Sequence, residues 1–124
     1  MPGIYINCSI LPFITWILAG RKRYETRTRN MLRALVGQRV ALIETGNGPA
    51  MVRGYATICA PEYVPYDHVQ ARQRAKILGT PYDIPEGGRK VFYYLTDIKK
   101  CTPYPVPADR INHGRAWTEF TTTK

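Results

Sequence analysis

Every apolar segment of this sequence is short. The longest, Ile10 to Ala19, contains Pro12 and Thr15 and falls well below the ~20 residues that a bilayer span requires. It therefore predicts a buried helix rather than a membrane anchor. No basic leader precedes this segment and no small-residue cleavage pattern follows it, so we expect a cytoplasmic protein without a membrane partner.

The order of these segments predicts an α+β fold. Ile4, Ile6, Cys8 and Ile10 alternate with polar residues, as in a strand with one buried face. The remaining elements are bounded by proline and glycine. They are a helix over 13–18 capped by Gly20, a strand over 22–28, a helical turn over 30–37, a hairpin of 39–45 and 51–58, a helix between Asp67 and Gly79, a strand over 91–98 and an extended segment over 101–117.

Short strands that are buried on both faces favour a small mixed β-barrel with two or three packed helices. A ferredoxin-like sandwich is the main alternative. The chain has 124 residues, the usual size of one domain, and no linker divides it. We predict a single domain over residues 1–118 and a flexible tail over residues 119–124.

The chain is strongly basic. Its 18 Lys and Arg against 9 Asp and Glu give a net charge of +9, which favours an anionic partner such as RNA or a nucleotide. Seven of the basic residues lie within nineteen positions, from Arg21 to Arg39, where Glu25 is the only acid. This cluster is equally consistent with a solvated basic face and with a binding surface.

Cysteine and histidine are too few and too scattered to indicate a metal site. Cys8, Cys59 and Cys101 show no CxxC spacing, and His68 and His113 are the only histidines. The cysteines are expected to be small buried residues rather than disulfide partners. The sequence also lacks a Ser/His/Asp arrangement, a phosphate-binding glycine loop and an HExxH motif, so we expect neither a metal nor another cofactor.

The segment from Ile17 to Arg27 resembles the signature of the ASCH family, within the PUA-like superfamily. That signature is an apolar helix closing on Gly-x-Lys-x-x-Glu-x-Arg, followed by a Gly-x-x-Val strand. Both parts are present here. The matching residues are Gly20, Lys22, Glu25 and Arg27, then Gly37 and Val40, then Gly54, and finally Pro103, Pro105, Pro107, Gly114 and Trp117.

The resemblance implies a barrel with a cleft for RNA or a nucleobase-like ligand. Some members of the family bind RNA, one branch cleaves RNA, and a branch of very small bacterial members hydrolyses the acyl amide of N4-acetylcytidine with a lysine, a threonine and a glutamate. This chain is similar in size to that last branch, and Lys22 falls on its lysine. Glu25 occupies the position of its threonine, and Asp83 and Glu62 are candidates for its glutamate by sequence neighbourhood.

Metal-free amide hydrolysis needs a nucleophile, a proton donor for the leaving amine and donors for the oxyanion. In a desolvated cleft beside several arginines, the pKa of Lys22 is expected to fall, which would make its amine a nucleophile or a base. Glu25 can carry the proton and Arg27 can bind the oxyanion. Residues 22 and 25 face opposite sides of a regular strand, so this reading requires Lys22 to lie in the turn after Gly20. Otherwise the motif is a surface ladder of ion pairs.

Several aromatic residues can stack a base in the cleft, although core packing is the commoner role of such residues. They are Trp16, Tyr24, Tyr63, Tyr66, Tyr82 and Trp117. We assign catalysis to Lys22 and Glu25, and substrate binding to Arg27, Trp16, Tyr24, Tyr82 and Asp83. The predicted activity is removal of the acyl group from N4-acylated cytidine or cytosine. The alternatives are an RNA-binding module and a ribonuclease.

Overall fold

The computed structural model describes residues 1–65 and 89–122. In order along the chain, its elements are β1 (Pro2–Asn7), α1 (Phe13–Leu18), β2 (Tyr24–Arg27), a 3-10 helix (Arg33–Leu35), β3 (Arg39–Thr45), β4 (Met51–Pro65), β5 (Arg89–Pro105), β6 (Ile111–His113) and β7 (Trp117–Glu119). The predicted helix between Asp67 and Gly79 lies outside the described residues, as do Tyr66, Tyr82 and Asp83.

The seven strands form one mixed sheet, in the order β2-β5-β4-β3-β1-β7-β6. β1 is parallel to β3, and the other pairs are antiparallel. The predicted barrel is therefore not closed by the described strands, because β2 and β6 each pair on one side only. One α-helix and one 3-10 helix are seen in the described residues, which do not support the predicted count of two or three packed helices.

The sheet is buried on both faces, as the sequence predicts. Alternate residues of β3 point to opposite sides: Val40 and Leu42 join one core, whereas Ala41 and Ile43 join the other. The first core also contains residues of β1, α1 and β5, and its Ile6 lines the candidate site described below. We refer to these sides as the α1 face and the opposite face.

The start of the chain follows the predicted strand pattern with one exception. Ile4, Ile6 and Cys8 are buried, but Ile10 is 90% exposed. The strand ends at Asn7, whose side-chain oxygen accepts a hydrogen bond from the Ser9 backbone N–H at 2.8 Å. The chain therefore turns before Ile10. The alternation of apolar and polar residues beyond Cys8 does not correspond to a strand.

α1 begins after Pro12 and packs Ile14 and Ile17 into the core. Gly54 of β4 lets this helix approach the sheet, because a Cβ there would lie 2.7 Å from Leu18 Cδ2 and 2.6 Å from the Lys99 carbonyl oxygen. Within the described residues, no helix has both the length and the apolar content to cross a membrane.

β4 and β5 are longer than the predicted strands, and their register shifts at three places. The end of the described chain is also more ordered than predicted. Glu119, which we assigned to the tail, is the last residue of β7, and Phe120 is buried. The Phe120 backbone N–H donates to the Met1 carbonyl oxygen at 3.0 Å.

Candidate active site

Lys22 lies in the turn that follows α1, as the catalytic reading requires. Gly20 has a φ of +77° and its N–H donates to the Ile17 carbonyl. The Arg21 and Lys22 N–H groups both donate to the Trp16 carbonyl, at 2.9 and 3.1 Å. This is the Schellman arrangement, in which a glycine in the left-handed region satisfies the last carbonyls of a helix. The backbone of Lys22 is thus fixed to the end of α1, ahead of β2.

The turn directs the Lys22 side chain inward. Lys22 is 2% exposed, and its Nζ lies 5.3 Å from the centre of the Phe13 ring. Glu25, the second residue of β2, is 5% exposed. The Lys22 Nζ and Glu25 Oε1 are 4.0 Å apart. A buried lysine facing a buried carboxylate is unusual in a small domain, because both charges lose solvation, and such groups concentrate at functional sites.

Arg27 completes the charged group. Its register with Val91, two positions from the Glu25–Tyr93 pair, places it on the same face as Glu25. Arg27 Nη2 lies 3.5 Å from Glu25 Oε2 and donates to the Tyr5 carbonyl at 2.8 Å. Its Nε is buried and has no hydrogen-bond partner among the described residues. An N–H donor held in this way is available to an oxygen atom of a ligand.

Glu25 is held by its own strand. Its Oε1 accepts a hydrogen bond from the Thr26 backbone N–H at 3.0 Å. With Lys22 on one carboxylate oxygen and Arg27 on the other, the Glu25 side chain has a defined orientation. The predicted surface ladder of ion pairs does not describe these residues, because Lys22 and Glu25 are both buried.

These residues line a cavity of about 210 Å³. Its described walls also include side chains that the sequence analysis did not single out, namely Ile6, Asn7, Phe13, Thr26 and Lys90. Lys90 is 6% exposed. The sequence feature that could have identified Lys90 is its position directly before the apolar run of β5. Glu25 is the one carboxylate among the described lining residues, beside three cationic side chains.

Two predicted substrate-binding residues are not among the described residues that line the cavity. The Trp16 ring packs edge-on against Phe13 at 6.0 Å, with the Arg21 guanidinium 5.3 Å from its centre. Tyr24 is on the other side of β2 from Glu25, where its ring contacts Phe92 and Tyr94. For these two residues the packing role explains the contacts.

The remaining candidates are distributed as follows. Tyr82 and Asp83 lie outside the described residues. Glu62 is in β4 opposite Phe92, and it does not line the cavity in the described part of the chain. Trp117 stacks on His113 at 4.0 Å in β7.

Cys8 is the thiol beside this region. Burial raises the pKa of Cys8, and the carboxylates of Glu44 and Glu25 raise it further. Cys8 therefore remains a neutral thiol and is a poor nucleophile. Among residues 1–65 and 89–122, no three His, Cys, Asp or Glu side chains come together as a metal site would require.

The solved structure of ASCH from Zymomonas mobilis is similar to this protein. The TM-score is 0.62 and the sequence identity is 16%, and the match covers 83% of this chain and 73% of that chain. The sequence matches no family model and no curated protein. The protein therefore has the ASCH fold, as its sequence predicts, and at this identity the likeness concerns the fold rather than the activity.

Proposed function

We propose that the protein is an amidohydrolase that removes the acyl group from N4-acylated cytidine or cytosine without a metal ion. The observation that carries this proposal is the buried pair of Lys22 Nζ and Glu25 Oε1, 4.0 Å apart, next to the buried Arg27 Nε, which has no hydrogen-bond partner in the part of the chain that the structure describes. Base, acid and oxyanion donor are the three groups that amide hydrolysis needs.

The Lys22–Glu25 pair can hold one proton in two ways. Burial opposes both charges of such a pair, whereas the attraction between them favours the ammonium and the carboxylate. When the proton moves from Lys22 to Glu25, the pair becomes an amine and a carboxylic acid, and neither charge remains buried. In that form the pair supplies a base and a proton donor together.

Hydrolysis then proceeds in two steps. The Lys22 amine takes a proton from water, the hydroxide oxygen bonds to the acyl carbon, and the carbonyl oxygen becomes an oxyanion held by Arg27 Nε–H. The bond from that carbon to N4 breaks as Glu25 gives its proton to N4. The products are the free pyrimidine amine and a carboxylic acid, which ionises by losing its proton to water. The pair is left as an ammonium and a carboxylate, and transfer of the proton from Lys22 to Glu25 restores the amine and the carboxylic acid.

Lys22 can act as nucleophile instead. Its attack on the acyl carbon would leave an acyl group on Lys22 in an amide, which is as difficult to hydrolyse as the substrate. We therefore favour Lys22 as the base. A mass increase of one acyl group on Lys22 during turnover would identify the nucleophilic route.

The cavity volume also supports a small reacting group. About 210 Å³ is below the ~300–1,000 Å³ of sites that enclose drug-sized ligands. A cavity of this size suits the acylated end of a pyrimidine rather than a whole nucleotide.

The test is turnover of N4-acetylcytidine in the presence of a chelator, followed by the absorbance of the pyrimidine. We expect hydrolysis by the wild-type protein and its loss in Lys22→Ala and in Glu25→Ala. Arg23→Ala is the matched control, because Arg23 is a neighbouring cation whose side chain is exposed, and it should retain activity. Wild-type protein without turnover, or Lys22→Ala with full turnover, would contradict the proposal.

A second candidate is an RNA-binding module. It is favoured by the exposure of five arginines on or beside the motif, namely Arg21, Arg23, Arg29, Arg33 and Arg39. Binding of single-stranded RNA that weakens with salt and with Arg29→Gln, without any product, would support the module. Fragmentation of that RNA in a manner dependent on Lys22 would instead identify a ribonuclease.

A further inference from the structure

A second and larger cavity lies on the opposite face of the sheet. It is an open groove of about 700 Å³, a volume within the range of ligand sites. It is separate from the Lys22 cavity, because its residues belong to the side of the sheet that carries Ala41 and Ile43. The proposed amide hydrolysis makes no use of it.

Aromatic side chains form one wall of this groove. The hydroxyl groups of Tyr55 in β4 and Tyr104 in β5 form a hydrogen bond of 2.7 Å, and both residues are half-buried. Burial, together with the hydrogen bond to Tyr55, raises the pKa of Tyr104, so its hydroxyl stays uncharged. Pro105 and Phe120 extend the apolar surface. This wall offers flat, neutral contact area to a planar ring.

Cationic side chains lie at the same wall. Lys99 is directly opposite Tyr55 in the β4–β5 register, and the Arg39 guanidinium lies 5.8 Å from the centre of the Tyr55 ring. Arg39 Nη1 donates to the Asp97 carbonyl at 2.9 Å, which holds the guanidinium in place beside the ring. None of the described residues that line the groove is acidic. The groove therefore favours a ligand that is both planar and negatively charged.

We propose that this groove binds a nucleotide, with the base against Tyr55 and Tyr104 and the phosphate at Arg39 and Lys99. Stacking on tyrosine and contact of phosphate with arginine and lysine are the two interactions by which proteins hold nucleotides without reading their sequence. The nucleotide can be free or part of a single-stranded RNA, and the same chemistry serves both.

The experiment is calorimetric titration of the full chain with cytidine monophosphate, cytidine, inorganic phosphate and a short single-stranded RNA. We expect the monophosphate to bind more tightly than either cytidine or phosphate. Arg39→Gln and Lys99→Gln should each weaken it about tenfold, and Tyr55→Leu by a similar factor. Tyr104→Phe retains the ring and should bind nearly as well as wild type.

Further variants control for general effects of charge. Lys100→Gln removes an exposed cation next to Lys99, opposite Gly54 in the register, and should leave binding unchanged. Arg39→Gln and Lys99→Gln should have the same effects when each is combined with Lys22→Ala, which separates the groove from the cavity on the α1 face. Tighter binding of the RNA that depends on the same residues would identify a nucleotide within RNA as the natural ligand.

The proposal is overturned if neither cytidine monophosphate nor the RNA binds, or if Arg39→Gln and Lys99→Gln bind them as tightly as wild type does. It is also overturned if phosphate alone binds as tightly as the nucleotide. The first two results would remove the site, and the third would leave a simple anion site. Each is distinct from failure of the amidohydrolase assay, which depends on Lys22 and Glu25.

Discussion

The burial of Lys22 and Glu25 is not what stability alone would favour. Both are almost completely buried, and they are 4.0 Å apart rather than in direct hydrogen-bond contact. A buried ion pair commonly contributes less to stability than apolar residues of the same volume, whereas removal of one partner leaves the other uncompensated. The two residues should therefore respond differently to substitution.

We expect Lys22→Met to unfold with a free energy equal to or above that of wild type, although it is inactive. Methionine has a similar length, it can pack on Phe13, and Glu25 keeps its contact with Arg27 at 3.5 Å. Glu25→Gln removes the carboxylate that faces both Lys22 and Arg27, and it should lose about 3 kcal/mol. The free energies of unfolding of wild type, Lys22→Met and Glu25→Gln, measured with urea, test this expectation. A loss of several kcal/mol in Lys22→Met would show that the pair is structural.

At the scale of the element, the turn after α1 determines where the reactive amine lies. Gly20 is in the left-handed region, and a Cβ at this position would meet nothing within 4 Å. Any effect of Gly20→Ala therefore arises from backbone strain and not from a clash.

Gly20→Ala should lose about 1–2 kcal/mol of stability and also reduce turnover, because relief of the strain moves Lys22. Gly37 is a matched control, since it has a φ of +82° and open space around it but lies away from the cavity. Gly37→Ala should lose similar stability and keep its turnover, as judged by kcat at a temperature where both variants are folded. Equal effects of both variants on kcat would contradict a positioning role for the turn. Gly20→Asn should be milder, because asparagine tolerates this conformation.

The elements differ in how far their sequence determines them. α1, the hairpin of β3 and β4, and the cap at Gly20 were predictable because each depends on near neighbours in the sequence: apolar spacing, glycine and proline. The exposure of Ile10 was not, because it depends on where β1 loses its partners. The role of Lys90 was also hidden, since only the pairing of β5 with β2 brings it to Lys22 and Glu25.

The candidate site, too, was predictable where it depends on residues close in sequence and not where it depends on the fold. Lys22, Glu25 and Arg27 are close in sequence, and the turn after Gly20 was the one geometry that could unite them. Trp16 and Tyr24 belong to the same segment, but they are not among the described residues that line the cavity: Trp16 packs on Phe13 and Arg21, and Tyr24 lies on the other side of β2. Composition identifies such aromatic residues, whereas the side of the element on which they lie decides their role.

For the molecule as a whole, the buried Tyr93 and the half-buried Tyr104 link stability to alkaline pH. Burial raises the pKa of Tyr93, whose hydroxyl donates to Asn30 Oδ1 and accepts from the Leu32 N–H. Burial likewise raises the pKa of Tyr104 on the opposite face. The folded protein therefore holds these protons more tightly than the unfolded chain, where a tyrosine titrates near ~10.

The free energy of unfolding should be constant with respect to these groups below about pH 10 and should fall as the pH rises above it. Urea unfolding at a series of pH values, with tyrosinate absorbance as a second signal, measures this. Tyr93→Phe should show a shallower decline than wild type, relative to its own stability at neutral pH. Tyr94→Phe, which removes a more exposed hydroxyl, is the control. If the free energy of unfolding of the wild-type protein increased as the pH was raised above about 10, the assignment would be contradicted.

The position of β5 in the sheet has a consequence for the making of the protein. This strand lies between β2 and β4, yet about half of the chain separates it from β2, and one of its first residues, Lys90, lines the Lys22 cavity. Until the ribosome has added β5, Lys22 and Glu25 lack one wall of their cavity and remain in water. The nascent protein thus gains its sheltered amine only after β5 has emerged and paired with β2.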